Sequence, residues 1–184
     1  MNKPRIMQAI YRWRVRAGLL AALAVLVLAR PDLRSLIGGF LAASLGLGLR
    51  TWAGCHLNKE KELTITGPYR YTRNPLYLGN LMIGIGMVIS SRSWWALALL
   101  VVYFLLFYTV AIHLEQKRMA GLFPEIHAEY SRKVPLFFPF RKPETAPGDK
   151  NSCLKLYRRN REYRALNGTV LYWMALFVKL LIFG

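Results

Sequence analysis

The stretch Gly67-Pro68-Tyr69-Arg70-Tyr71-Thr72-Arg73-Asn74-Pro75-Leu76-Tyr77-Leu78-Gly79 decides how this chain is read. A polar, proline-bounded segment rich in Tyr and Arg runs directly into an apolar helix of membrane type. Pro75 suits the first position of that helix, where its missing N–H costs nothing. Polar groups at the mouth of a lipid-embedded helix are expensive to place, so they serve something.

Outward from this loop the chain is apolar. It has 184 residues, is 54% hydrophobic and still carries a net charge of +17. That charge on an apolar chain points either to nucleic acid or to a membrane surface, and its distribution decides between them. Apolar segments lie at 17–29, 33–49, 76–89, 94–112 and 169–183. Several are shorter than the roughly 20 residues that cross a bilayer squarely, and flanking Arg, Tyr and Trp extend them. Threaded through five segments from the cytoplasm, the chain places 22 Lys and Arg inside and 3 outside, with Lys179 within the last segment. This is a strong positive-inside bias. The charge is topological, and nucleic acid is set aside as a partner. The expected fold is therefore all-α and polytopic, with about five membrane helices. The N-terminus and the polar loops face the cytoplasm, in the inner or plasma membrane.

Residues 1–140 form the expected core. Within it, 1–16 read as a basic interfacial helix with Ile6, Ile10 and Trp13 on one face. The first apolar segment ends in Arg30-Pro31-Asp32 rather than a small-x-small cleavage site and is read as retained. Gly38, Ala42 and Gly46, flanked by Ser35, Gly39 and Ala43, form a small-residue stripe for close helix packing. Phe123-Pro124 must break a helix. Residues 141–184 read as a linker (141–150), a basic helix (155–164) and a final apolar segment. That segment, 169–183, is short for a full crossing, and Lys179 within it can snorkel. The tail is expected to anchor the protein or form homo-oligomers, outside the pocket. Cys55 and Cys153 both fall on the expected cytoplasmic side, where a disulfide is not expected.

Two polar clusters, 56–74 and 113–130, meet the same membrane face and look like two walls of one site. An interfacial belt of Tyr and Arg explains Tyr69, Arg70 and Tyr71 equally well. It does not explain Glu115 at the end of a long apolar helix, or Asn74 at the membrane mouth. The sequence has no zinc-ligand spacing, P-loop or Gly-x-Ser-x-Gly. Gly84-Ile85-Gly86 lacks the strand–turn–helix context of a nucleotide fingerprint and reads as a packing patch.

The loop resembles the signature of the membrane-embedded isoprenylcysteine carboxyl methyltransferases and their relatives, the phospholipid N-methyltransferases. That signature is Gly-x-Tyr followed by Arg-(His/Asn)-Pro-x-Tyr-x-Gly. Here it stands as Gly67-Pro68-Tyr69 and Arg73-Asn74-Pro75-Leu76-Tyr77-Leu78-Gly79. A looser second motif stands as Glu115-Gln116, Phe123-Pro124-Glu125, Tyr130 and Val134-Pro135. The resemblance covers roughly residues 33–140. It implies S-adenosylmethionine bound at the cytosolic membrane face in a pocket open to lipid, with a lipophilic acceptor entering from the bilayer. It further implies cofactor contacts at His56, Gly67, Tyr69, Arg73, Asn74, Pro75, Tyr77, Gly79, Gly84, Gly86 and Glu115. Gln116 and Pro124 depart from the pattern, as does His127. The arginine that meets the substrate carboxylate in the eukaryotic enzymes falls at Ala111, so the acceptor is not expected to be an isoprenylcysteine handled in the same way.

Methyl transfer needs alignment and exclusion of water more than a protein nucleophile. If the acceptor is an amine or hydroxyl, a proton must leave, and His113 or Glu115 is the candidate catalytic base; His113 reads equally as a helix-end histidine. Two alternatives stand beside this. An NADPH-dependent sterol-reductase-like enzyme would share the Asn-Pro-x-Tyr loop, but Glu115-Gln116 and Leu122-Phe123-Pro124 replace its Arg-Asp and Lys-Tyr-Gly runs. A non-catalytic membrane scaffold would have no cofactor site at all.

Overall fold

The computed structural model describes residues 3–58, 62–139 and 153–183. Among these residues every regular element is a helix. Helix α1 (Lys3–Leu28) and α2 (Leu33–His56) form the first hairpin. Asp32 caps α2 in a capping box: Ser35 N–H donates to Asp32 Oδ1 at 2.7 Å, and Asp32 N–H to Ser35 Oγ at 3.0 Å. The hydrogen bonds to Ser35 hold the Asp32 carboxyl below its ordinary range. A 3-10 turn, Gly67–Arg70, leads to α3 (Pro75–Ser91), which starts with Pro75 at its first position. Helices α4 (Trp94–Tyr103) and α5 (Thr109–Leu122) are continuous through one wide turn of π geometry, Phe104–Tyr108. The chain breaks at Phe123, and α6 (Pro124–Lys133) follows. Helices α7 (Cys153–Arg159) and α8 (Tyr163–Phe183) complete the fold.

Helices α2 and α3 pack antiparallel with their backbones almost touching, which explains the small-residue stripe. A Cβ at Gly46 would stand 2.6 Å from the Gly79 carbonyl, and one at Gly79 would stand 2.7 Å from the Gly46 carbonyl. Gly39 and Gly86 face each other two turns further on, with Ser90 beside them. At that end the two short turns are pinned together. Arg30 N–H donates to Ser91 O at 3.0 Å, and Arg92 pairs with Asp32 at 2.6 Å.

Among the described residues three helices are long and apolar enough to cross a bilayer: Leu33–His56, the continuous Trp94–Leu122, and Tyr163–Phe183. Pro75–Ser91 is apolar but shorter, and α1 carries arginines through its first half. Large apolar side chains face outward, among them Leu20, Val27, Leu41 and Leu45 on the first hairpin. The outer surface is thus suited to lipid rather than water.

The structure corrects three expectations. The basic N-terminus is not a separate interfacial helix. It continues unbroken into the first apolar segment: Pro4 falls in the first turn, where it is tolerated, and beyond it only Gly18 weakens helix propensity before Leu28. The last apolar helix begins six residues earlier than its hydropathy indicates. Its 21 residues span about 32 Å, and Lys179 Nζ donates to the last carbonyls of α1, Leu26 O and Val27 O, both at 2.8 Å. Cys55 and Cys153 are joined, with Cα atoms 4.3 Å apart. They lie 98 positions apart in sequence, and no local motif announces that α7 docks on the end of α2. The expected linker 141–150 lies outside the described residues.

Candidate functional site

The 67–79 loop is built to be rigid. Gly67 has φ +56° and lies under the His56 ring, where a Cβ would come within 2.5 Å of the imidazole. Only glycine suits both demands. His56 Nδ1 is 3.2 Å from Thr66 Oγ1. Pro68 and Tyr69 are buried, and the Tyr130 hydroxyl donates to the Tyr69 carbonyl at 2.7 Å. Burial pushes both phenols, Tyr69 and Tyr130, above the ordinary tyrosine range, so both stay protonated.

The segment after α6 closes over this loop. Arg73 N–H donates to Pro135 O at 3.0 Å, and Asn74 Nδ2 donates to Leu136 O at 2.8 Å. Asn74 is buried, and its backbone N–H donates to Thr72 Oγ1 at 3.2 Å. Asn74 therefore fastens the loop to Leu136 while Pro75 starts α3. The Arg73 guanidinium donates to Gln116 Oε1 at 3.0 Å, and His127 Nε2 lies 3.1 Å from that same oxygen. Burial lowers the pKa of Arg73. Burial and then the Arg73 charge lower that of His127. Arg73 Nε is buried with no hydrogen-bond partner among the described residues.

Beside this lock stands the Glu115 cluster. The hydroxyls of Tyr77 and Tyr11 both donate to Glu115 Oε1, at 2.8 and 3.1 Å. Arg14 Nη2 is 3.9 Å from that oxygen, and the Arg14 guanidinium lies 3.7 Å over the Tyr11 ring. Tyr108, on the wide turn, packs edge-on to Tyr77 with centroids 5.0 Å apart, and Tyr103 donates to Arg14 O at 2.8 Å. Wide turns of this kind insert one extra residue and often re-aim side chains.

A cavity of about 660 Å³ extends from the cluster between α1, α3, α4 and α8. Arg14, Arg50, Tyr77, Asn80, Tyr108 and Arg164 line one end, and mostly aliphatic side chains line the rest, with Tyr103, Thr169 and Tyr172 among them. Arg50 is held there by Asn80 Oδ1 at 2.5 Å and by Glu162 Oε2 at 2.6 Å. Gly54 makes room for Glu162, whose Cγ would stand 2.5 Å from an added Cβ. Asn160 Nδ2 donates to Gly54 O and Leu57 O, at 3.0 and 2.8 Å.

The expected site residues thus divide. Tyr77 and Glu115 meet. Arg73 reaches the next side chain on α5, Gln116. Gly67, Tyr69, Asn74 and Pro75 shape the loop, with His56 over it. Gly79 and Gly86 face α2, so their lack of a side chain serves packing. Gly84 lies against Leu100 and lines the cavity. His113 is exposed and stands apart from the cluster, because residues two apart on a helix point in opposite directions. Tyr11, Arg14, Arg50 and Glu162 were missed. Only Tyr11 and Arg14 left a signal, as a polar pair three apart on one helical face. The tail was expected to lie outside the pocket, but α8 forms one side of the cavity.

Among known proteins, the phospholipid methyltransferase family profile matches residues 36–126. Over 103 residues the chain is 37% identical to the cobalt-zinc-cadmium resistance protein CzcN of Cupriavidus metallidurans, covering 55% of this chain and 47% of that protein. It is 33% identical over 103 residues to the nickel-cobalt-cadmium resistance protein NccN of Alcaligenes xylosoxydans xylosoxydans, covering 55% of this chain and 48% of that protein. These alignments span about half the length of either relative. No solved structure matches.

Proposed function

Because residues 36–126 belong to the phospholipid methyltransferase family, we propose that the protein is an integral membrane, S-adenosylmethionine-dependent methyltransferase acting on a lipophilic acceptor. One observation carries the reading: Tyr77 and Arg14 line the polar end of a largely apolar cavity and hold the Glu115 carboxylate directly behind it, with Tyr11 as a second phenol donor.

The side chains present fit the cofactor. Glu115 can accept from an ammonium or from ribose hydroxyls, and its side chain is 36% exposed and so accessible. Arg14 and Arg73 can meet a carboxylate, and the buried, unpartnered Nε of Arg73 is a donor awaiting one. Tyr11, Tyr77 and Tyr108 offer aromatic faces. When bound, S-adenosylmethionine supplies an electrophilic methyl group on a sulfonium. The chain contributes orientation and dryness. Tyr11 and Tyr77 fix the Glu115 carboxylate, the Asn74–Leu136 lock holds the loop shut, and the apolar wall aligns the acceptor. Where the acceptor must lose a proton, the Glu115 carboxylate is the base placed to take it.

Helices α1 and α3 complete five crossings in this reading, with the N-terminus and Glu115 on the cytoplasmic side. The 22-to-3 distribution of Lys and Arg supports that orientation. A C-terminal phosphatase fusion is then active, and a fluorescent-protein fusion dark; the reverse pattern overturns the topology. The relatives are named for metal resistance, so lipid extracts from cells grown with cobalt, zinc, cadmium or nickel are the place to seek the acceptor. Incubation with methyl-labelled cofactor and mass spectrometry should show one labelled lipophilic product. Calorimetry with no S-adenosylmethionine heat, and no competition by S-adenosylhomocysteine, would refute the assignment.

A further inference from the structure

Helix α8 lies outside the family-matched residues 36–126, yet it lines the cavity from Arg164 through Thr169 and Tyr172 to Ala175. The cavity has an uneven chemistry. Its lining includes Arg14, Arg50 and Arg164 at one end and no Asp or Glu, although behind the lining Arg50 pairs with Glu162 at 2.6 Å and Arg14 stands 3.9 Å from Glu115. Arg50 keeps a buried Nε without a partner among the described residues. Further along, among Leu, Val and Met side chains, stands Tyr172. It is 7% exposed, and its hydroxyl is buried with no hydrogen-bond partner among the described residues. A buried hydroxyl without a partner is rare and costly, and one that borders a cavity is most simply explained by a group on the occupant. Arg164 and Tyr172 are eight residues apart on one helix, about 12 Å along its axis. A volume of about 660 Å³ lies in the range of single small-ligand sites, suited to one chain rather than a bundle of them.

We propose that this cavity takes a single-chain acidic amphiphile with a polar atom part-way along its chain, and that Arg164 and Tyr172 of α8 select it. The acidic head sits among the arginines, and the Tyr172 hydroxyl hydrogen-bonds the oxygen or nitrogen within the chain. This rests on the methyltransferase reading only in taking the occupant to be the methyl acceptor. The residues that specify the acceptor then lie in a part of the chain that the family match does not reach. The enzyme's specificity resides in α8, while the loop and Glu115 supply the reaction geometry.

The test uses the full chain in detergent and measures binding of tritiated stearate, with 12-hydroxystearate and octadecanol as competitors. Wild type should bind 12-hydroxystearate about tenfold more tightly than stearate, and octadecanol more weakly than either. Tyr172→Phe removes one hydroxyl and should equalise the two acids. Arg164→Gln should weaken both acids about tenfold and leave octadecanol unchanged. Equal affinity for the two acids in wild type, or a preference that survives Tyr172→Phe, overturns the proposal. S-adenosylmethionine titration of the same samples separates the two readings. Chain selectivity without cofactor binding sinks the methyltransferase assignment alone; cofactor binding without chain selectivity sinks this one alone.

Discussion

The Tyr77 hydroxyl donates to Glu115 Oε1 at 2.8 Å across 38 positions of sequence, joining the first turn of α3 to the polar half of α5. A hydrogen bond to a charged group contributes roughly 1.5–3 kcal/mol. Tyr77→Phe should therefore lower the unfolding temperature by several degrees and, by releasing the Glu115 carboxylate, weaken S-adenosylmethionine binding about tenfold or more. Glu115→Gln should remove turnover. Calorimetry and product counting check both, and unchanged affinity in Tyr77→Phe would detach the cluster from the cofactor.

Arg50 and Glu162 form an ion pair in which both side chains are largely buried, and it fastens the start of α8 to α2. Removing one partner leaves the other charge buried, a loss of roughly 3–5 kcal/mol. Glu162→Gln should lower the unfolding temperature far more than Lys133→Gln, whose pair with Glu129 is exposed. Equal, small effects in a thermal scan would show that α7 and α8 are not docked as described.

The α2–α3 seam leaves no space for side chains. Gly46→Val should abolish folded protein in size-exclusion chromatography. Gly48→Ala, with nothing within 4 Å of the added Cβ, should be neutral or slightly stabilising. A well-folded Gly46→Val protein would rule out the close approach of α2 and α3.

The pKa of His127 lies below 6.5, through burial first and the Arg73 charge second. Well above 6.5 the ring is neutral in folded and unfolded chains alike and contributes no pH dependence. As pH falls below that value the unfolded chain takes up the proton first, so stability is lost. The gap in unfolding temperature between wild type and His127→Gln should therefore shift against wild type from pH 7.5 to pH 5.5. A gap independent of pH would refute this.

What the sequence disclosed was local. Pro75 starting α3, the break at Phe123-Pro124 and the small stripe on α2 all follow from residues within a turn of one another. That Tyr77 and Glu115 belong to one site came through the resemblance; their direct contact did not. Tyr11 and Arg14 were hidden because their partner lies about 100 positions away, in a stretch whose charge already had a topological explanation. The pairs Arg50–Glu162 and Cys55–Cys153 were hidden for a similar reason. No periodicity connects α2 with helices a hundred residues later, and hydropathy placed the start of α8 too late by omitting its polar first turns.

The wide turn Phe104–Tyr108 acts as a phase offset in an otherwise regular rod. One surplus residue advances everything after it by about 100° around the axis. Deleting Leu106, which is exposed and apolar, would leave the length and hydropathy of the span almost unchanged. It would also rotate Glu115 a quarter-turn or more away from Tyr77 and Tyr11. The protein should still insert and fold, with its carboxylate aimed at the wrong neighbour. The orientation of Glu115 in this bundle is thus set by the count of residues in one turn, whatever their identity.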